Sequence, residues 1–124
     1  MTVTVTGGIT FSGGGLTFAP GGGGGGGGTQ KAIFGYGYGT GYTAITNLVS
    51  NTGVVGNNVT GVGTARQYLA AAGYGTDKAI FGYGEGGVNS AVTNLVSNTG
   101  VVATDTAGVG TARAGLAAAG YSTT

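Results

Sequence analysis

The chain lacks the residues on which most catalytic and metal chemistry depends. Its 124 residues include no cysteine, no histidine and no tryptophan. Without cysteine, disulfides and thiolate-bound metals are excluded, and without histidine the usual nucleophile–base pairs cannot be assembled. Only three acids are present, Asp77, Glu85 and Asp105, which is a poor basis for a paired-carboxylate hydrolase. We therefore expect no enzyme activity, cofactor or metal site.

Charge is also scarce. Four basic and three acidic residues give a net charge of +1, which lacks the basic footprint of a nucleic-acid-binding protein. The longest apolar runs, such as 69–72, are far too short to span a membrane. The residues after Met1 have neither the basic nor the apolar region of a signal peptide. We expect no nucleic-acid or membrane partner, and weak repulsion between copies favours a packed assembly.

Glycine is abundant instead, at 32 of 124 residues. In the first part of the chain, residues 1–20, alternation and β-branched residues predict short strands at 2–6, 9–12 and 16–19. We interpret this part as a β-rich docking segment. Residues 21–28 are all glycine and have two interpretations, a flexible tether or extended strands that pack closely in an oligomer.

The rest of the chain is one sequence written twice. Residues 31–77 return as 78–124 without a gap, and 32 of the 47 paired positions are identical. We place the first repeat at 29–77 and the second at 78–124. A fixed period of this size is typical of repeat architectures, in which each unit buries its apolar face against a neighbour. Two units are too few to close such a fold, so copies of the chain are expected to complete it.

Each repeat divides into three pieces. The run at 31–37 is a short apolar strand that ends in glycines, and 92–102 is a hairpin with its turn at Asn98-Thr99-Gly100. The Ala-rich pieces at 64–73 and 111–120 are ambiguous. Alanine and the Thr64 cap suit a helix, whereas small residues also suit a strand near a crowded axis, which we favour. Positions that differ between copies, chiefly 38–45 and 56–60 and their counterparts, are interpreted as loops.

These pieces resemble the blade of a kelch-type propeller. In that family an Arg opens a small-residue strand, as Arg66 and Arg113 do here, and a turn like Asp77-Lys78 leads into an apolar strand. The glycine pairs Gly35/Gly37 and Gly82/Gly84 stand where the family has its paired glycines. The resemblance implies an all-β fold with two kelch-like blades per chain.

Propellers have about four to eight blades, so dimers, trimers or tetramers would close a ring. We favour a trimer with six blades, in which residues 111–121 of one chain lie beside 31–37 of the next. The repeats are also similar to low-charge repeats of tailed-bacteriophage fibre and virion proteins. That resemblance implies a non-enzymatic virion protein, in a tail fibre, spike or capsid decoration, whose residues 1–20 dock on other virion proteins.

The binding candidates are aromatic. Exposed tyrosines can stack on sugars, and we select five of them: Tyr36, Tyr83, Tyr38, Tyr74 and Tyr121. The alternative is that they fill gaps between glycine-rich strands, with the hydroxyl at the surface. The recurring cations Lys31, Lys78, Arg66 and Arg113 are interpreted as structural, with Arg bound to backbone carbonyls between blades.

Two other functions remain open. A lectin-like propeller would bind glycans between its blades, including those of a host surface. A self-assembling extracellular filament would grow without closing.

Overall fold

The computed structural model describes the backbone of residues 9–12 and 15–18 and the whole of residues 29–122. The chain divides into two units, Met1–Gln30 and Lys31–Thr124. In the first unit β1 (Ile9–Ser12) pairs antiparallel with β2 (Gly15–Phe18), which confirms two of the predicted strands to within one residue. The strand predicted at 2–6 and the polyglycine at 21–28 lie outside the described residues.

The second unit is built from two hairpins and one inserted strand. Its strands are β3 (Ala32–Tyr38), β4 (Tyr42–Val49), β5 (Ala70–Tyr74), β6 (Lys78–Glu85) and β7 (Asn89–Val96). β3 and β4 form one antiparallel sheet, and β5, β6 and β7 form another in that order. The described residues contain no helix, so the predicted all-β class is confirmed for them.

Each hairpin contains a bulge at its glycine pair. The β3–β4 register shifts between Gly35 and Gly37, and the β6–β7 register shifts between Gly82 and Gly84. The residue between each pair is a tyrosine with a positive φ, 63° for Tyr36 and 64° for Tyr83. This backbone region is strained for a bulky residue. A bulge redirects the side chain, so both repeats use local strain to aim a tyrosine.

The predicted turn at residues 98–100 is confirmed. Ser97 and Val101 are joined by a backbone hydrogen bond of 2.9 Å, and Gly100 has a φ of 83° that glycine adopts without strain. The loop predicted at 38–45 is partly wrong. β4 begins at Tyr42, because the half-exposed strand tolerates different side chains in the two copies, so sequence variation there does not mark a loop.

The Ala-rich pieces differ between the two repeats. Ala70–Tyr74 forms strand β5, which lies beside β6 of the following repeat. This confirms the strand interpretation for the C-terminal part of the first piece. Residues 111–120 form neither strand nor helix. A strand needs a neighbouring edge, and the described residues offer none beside 111–120, so the strand that we favoured there is not formed.

The small core lies between the two repeats. Its buried members are Tyr36, Ala44, Phe81, Val96 and Val102. The first two come from the first repeat and the other three from the second. The fold of residues 31–122 is therefore held together mainly by the packing of one repeat on the next.

Candidate functional site

Arg66 is the centre of the contact between the repeats. Its side chain is 0% exposed. Nε donates to the carbonyl of Tyr83 at 2.7 Å and Nη1 to that of Thr64 at 2.9 Å. Nη2 donates to Asn94 Oδ1 at 2.7 Å. A buried guanidinium is tolerated only when its donors are satisfied, and Arg66 meets this condition with partners from both repeats.

Asn94 continues the network into the second repeat. Its Nδ2 donates to the carbonyl of Ala103 at 3.1 Å and to Asp105 Oδ1 at 2.8 Å. The Asp105 carboxylate also accepts from the backbone N–H and hydroxyl of Thr64. The chain Arg66–Asn94–Asp105–Thr64 therefore crosses between the repeats and back again. Arg66 and Asn94 are buried, whereas Asp105 and Thr64 are exposed. The network therefore runs from the core to the surface, and its hydrogen bonds favour one register of packing.

Asp105 is the acid of this network. Burial opposes its ionisation, but hydrogen bonds from Thr64 and Asn94 and the nearby charge of Arg66 outweigh that effect and hold the pKa of Asp105 below its ordinary value of 3.8. A carboxylate that accepts this many hydrogen bonds acts as a structural acceptor rather than as a proton donor at neutral pH.

Tyr36 packs within the contact rather than on the surface. Its ring meets Phe81 edge to face at 5.2 Å between centroids, and the Arg66 guanidinium carbon lies 4.5 Å from the ring centre. Its hydroxyl donates to the carbonyl of Val62 at 2.8 Å. Burial also raises the pKa of Tyr36. Tyr36 was selected as a ligand-binding residue, and this interpretation is wrong because the ring is buried as structure.

The second repeat repeats half of this arrangement. Arg113 lies 4.3 Å from the ring centre of Tyr83, and its Nη1 donates to the carbonyl of Thr111 at 3.1 Å. Tyr83 donates to the carbonyl of Val109 at 2.9 Å. Yet Arg113 is exposed, and within residues 29–122 no hydrogen bond is made by its Nε or Nη2. The Arg113 guanidinium therefore contacts a tyrosine ring, as Arg66 does, but it has no asparagine partner among the described residues.

The first repeat carries the other half. Asn47 corresponds to Asn94, and its Nδ2 donates to the carbonyl of Gly56 at 3.1 Å and to Asn58 Oδ1 at 2.9 Å. Among the described residues, no donor reaches the Asn47 amide oxygen. Phe34, the counterpart of Phe81, is 63% exposed. This face has the acceptor and the aromatic ring but no arginine.

Other selected residues lie on the surface. Lys31 and Lys78 are exposed at the starts of the two inner strands, and Tyr74 pairs with Lys78 across β5 and β6. Tyr121 is 91% exposed. The Asp77 carboxylate accepts a hydrogen bond from Asn98 Nδ2 at 2.9 Å and so contacts the turn at residues 98–100. The structure does not bring the five selected tyrosines into one site.

A separate aromatic pair lies at the tip of the first hairpin. The rings of Tyr38 and Tyr42 meet edge to face at 5.3 Å, and both are exposed. The hydroxyl of Tyr42 donates to Glu85 Oε1 at 3.4 Å. Desolvation and the Glu85 charge raise the pKa of Tyr42. Two rings beside one carboxylate can stack on an apolar face and accept a hydrogen bond from a hydroxyl.

The sequence reasoning missed Asn94, Asp105 and Phe81. Asn94 and Phe81 belong to recurring segments, so their recurrence was a signal for a role in the scaffold. Asp105 gave no such signal because its counterpart is Asn58. Only the contact with Thr64 of the other repeat explains why the acid is there.

No group of three or more acidic side chains, histidines or cysteines is placed to hold a metal ion within the described residues. No helix there is long and apolar enough to cross a membrane.

No protein-family model, curated protein or solved structure matches this chain. The two half-complete contacts described above are therefore interpreted from their own residues.

Proposed function

We propose that this chain is a non-enzymatic structural subunit that assembles from copies of itself through its repeats. The observation that carries the proposal is the contact between the two repeats, with Arg66 fully buried at its centre. Both sides of that contact recur on the chain in unpaired form. Arg113 with Tyr83 lies at one end, and Asn47 with Phe34 lies at the other.

The sheet around β6 supports a ring of propeller blades. β5, β6 and β7 are antiparallel neighbours, and Thr106 forms a bridge to Thr93 on the outer side of β7. A three-stranded sheet with a fourth bridged segment has the strand number of a blade. The first strand comes from the preceding repeat, so adjoining blades share strands. Two kelch-like blades per chain then need further chains, and a trimer gives six.

We place the assembly in a bacteriophage virion, as a tail-fibre, spike or decoration subunit. The support is a repeated, glycine-rich sequence with little charge and no catalytic pair, a composition that resembles the low-charge repeats of tailed-bacteriophage fibres. Residues 1–20 would attach the ring to other virion proteins.

Light scattering at micromolar concentration tests the assembly. We expect a mass of several chains, and negative-stain images of closed rings. A monomeric mass would overturn the proposal, and open-ended fibres would favour the filament alternative. Immunogold labelling of phage particles with antibodies against the pure protein tests the location.

A lectin-like function is the second candidate, because Tyr38, Tyr42 and Glu85 form an exposed cluster. Ring faces and a carboxylate acceptor are the groups that recognise sugars in water-exposed sites. A glycan array tests this candidate. Binding that is lost in Tyr38→Ala but kept in Tyr74→Ala, a matched exposed tyrosine, would support it. No binding to any glycan would contradict it.

A further inference from the structure

The two unpaired faces of the chain are complementary because each is one half of a contact that the molecule already contains. We call the face of the second repeat that carries Tyr83 and Arg113 the arginine face. We call the face of the first repeat that carries Phe34, Asn47 and Asn58 the asparagine face. Inside the chain, their counterparts meet: Tyr36, Arg66, Phe81 and Asn94 are buried there, and Asp105 lies exposed at the edge of the contact.

The arginine face contains a groove of about 190 Å³. Its lining includes Gly82, Tyr83 and Arg113. The corresponding residues of the first repeat are Gly35, Tyr36 and Arg66. Gly35 and Tyr36 contact Phe81, and Arg66 donates to Asn94 of the same repeat as Phe81. A Cβ built on Gly35 would lie 2.9 Å from the Phe81 ring, so this glycine is needed for the ring to fit. The groove on the second repeat is thus equivalent to the site that Phe81 fills on the first repeat, but no phenylalanine ring occupies it.

We infer that Phe34 and Asn47 of a second copy dock on this groove, so that Arg113 of one chain binds the Asn47 amide oxygen of the next. This contact rests on the self-assembly proposed above and assigns its residues. The proposed contact has the same geometry as the internal one. Phe34 takes the place of its counterpart Phe81, and Asn47 takes the place of its counterpart Asn94. The occupant is thus a copy of this chain.

The same shift assigns the backbone pairing. Inside the chain, Ala70 pairs with Gly82 and Ala72 pairs with Ile80. Between copies, residues 117–121 of one chain would pair with residues 31–35 of the next. In the single chain this tail begins beside the residues that precede β5, since the N–H of Gly115 donates to the carbonyl of Tyr68 at 2.8 Å. Docking would add residues 117–121 to the edge of β3 that has no strand partner among the described residues.

One substitution between the repeats makes the contact between copies weaker than the internal one. Thr64 donates twice to the Asp105 carboxylate. Between copies, Thr111 would face Asn58, whose amide offers one oxygen and an NH₂ group that cannot accept. The charge-assisted hydrogen bonds of the internal contact are therefore lost. This difference predicts that Asn58→Asp strengthens the association of copies.

Sedimentation of the full chain measures the contact. Arg113→Ala and Gly82→Ala alter the arginine face, the first by removing the donor and the second by filling the groove. Phe34→Ser alters the asparagine face. We expect each to raise the dissociation constant of the assembly about tenfold or more. Lys78→Ala, an exposed cation that pairs with Tyr74 inside the chain and lies outside the proposed contact, is the matched control and should leave assembly unchanged.

Mixing the variants tests the direction of the contact. Arg113→Ala retains its asparagine face and Phe34→Ser retains its arginine face. Each should be monomeric alone, and a mixture should form a 1:1 heterodimer that grows no further. Absence of the heterodimer would overturn the inference.

Asn58→Asp is expected to strengthen the association of copies, a result that a misfolded variant would not give. Its dissociation constant should fall about threefold to tenfold, and the gain should shrink in high salt. An unchanged or weaker association would contradict the inference. A wild-type chain that stays monomeric would overturn the proposed function itself. A wild-type oligomer that is insensitive to Arg113→Ala, Gly82→Ala and Phe34→Ser would overturn only this assignment.

Discussion

The two repeats contain the same scaffold residues in opposite environments. Phe81 is 3% exposed and its counterpart Phe34 is 63% exposed, whereas Arg66 is fully buried and its counterpart Arg113 is exposed. Local sequence explains little of these differences, because residues 31–37 and 61–66 are identical to residues 78–84 and 108–113. What differs is whether a neighbouring repeat covers the residue. Burial in this molecule is therefore a property of the stack and not of the single repeat.

The comparison also shows which features belong to one repeat alone. Tyr36 and Tyr83 share a positive φ, an arginine over the ring and a hydroxyl that donates to a backbone carbonyl. These contacts form whether or not a neighbour is present. Each repeat thus prepares its arginine face by itself, and the arrival of the next repeat completes it.

The largest expected effect distinguishes the two phenylalanines. Phe81→Ala removes a buried ring and should lower the free energy of unfolding by about 3 to 5 kcal/mol. Phe34→Ala should change it by less than about 1 kcal/mol in dilute protein, because its ring is mostly in water. Urea unfolding of both variants measures the difference. Equal losses would show that the environments of the two rings are not distinct.

The next effect distinguishes the two arginines. Arg66→Ala leaves Asn94 Oδ1 and the Tyr83 carbonyl without their donors in a buried site, which should cost about 2 to 4 kcal/mol. Arg113→Ala should cost much less in the monomer. Thermal unfolding of the two variants at low protein concentration measures both values. A large loss of unfolding free energy in Arg113→Ala, with little loss in Arg66→Ala, would contradict the comparison.

A smaller effect distinguishes the two glycines at the bulges. A Cβ on Gly35 would lie 2.9 Å from both Phe81 and Thr46, whereas a Cβ on Gly82 would meet only Thr93, at 3.3 Å. Gly35→Ala should therefore destabilise the fold by about 1 to 3 kcal/mol, and Gly82→Ala by less. Hydrogen exchange of the β6 amides detects the loosening. The reverse order would contradict the packing of Phe81 on Gly35.

The smallest effect concerns pH and distinguishes Asp105 from Asn58. The pKa of Asp105 is lowered in the folded chain, so its stabilising contribution is complete above the ordinary value of 3.8 and is lost as the pH falls through the folded pKa. Asp105→Asn should flatten the acid side of the stability profile. Urea midpoints measured from about pH 6 to about pH 3 give the profile. An unchanged acid slope in the variant would contradict this role.

Much of the fold could be predicted from local pattern. The run Ala-Ile-Phe followed by paired glycines predicted the inner strands, and Asn-Thr-Gly predicted the turn, because these preferences act over a few residues. β5 was ambiguous because alanines suit helix and strand alike, and only the free edge of β6 decides between them. The loop predicted at 38–45 was partly wrong, because β4 begins at Tyr42. Side chains that differ between the copies indicate exposed positions, and exposed positions occur in strands as well as in loops.

The candidate site was less accessible to prediction. Arg66 and Arg113 were interpreted as structural cations, and Arg66 donates to two backbone carbonyls and to Asn94. Tyr36 was assigned to ligand binding because a sequence does not show which side of a tyrosine is covered. Asp105 looked like an isolated difference between copies, since its partner Thr64 lies 41 residues away in the chain.

By itself the sequence determined the repeat, its strands and turns, and the scarcity of charge and catalytic groups. These depend on short-range conformational preference and on composition, which each repeat carries in full. The tertiary structure alone decided which copy of each residue is buried and which chemistry Asp105 performs. Those outcomes depend on a neighbour that lies one repeat away, so identical sequences acquire different environments from position in the stack.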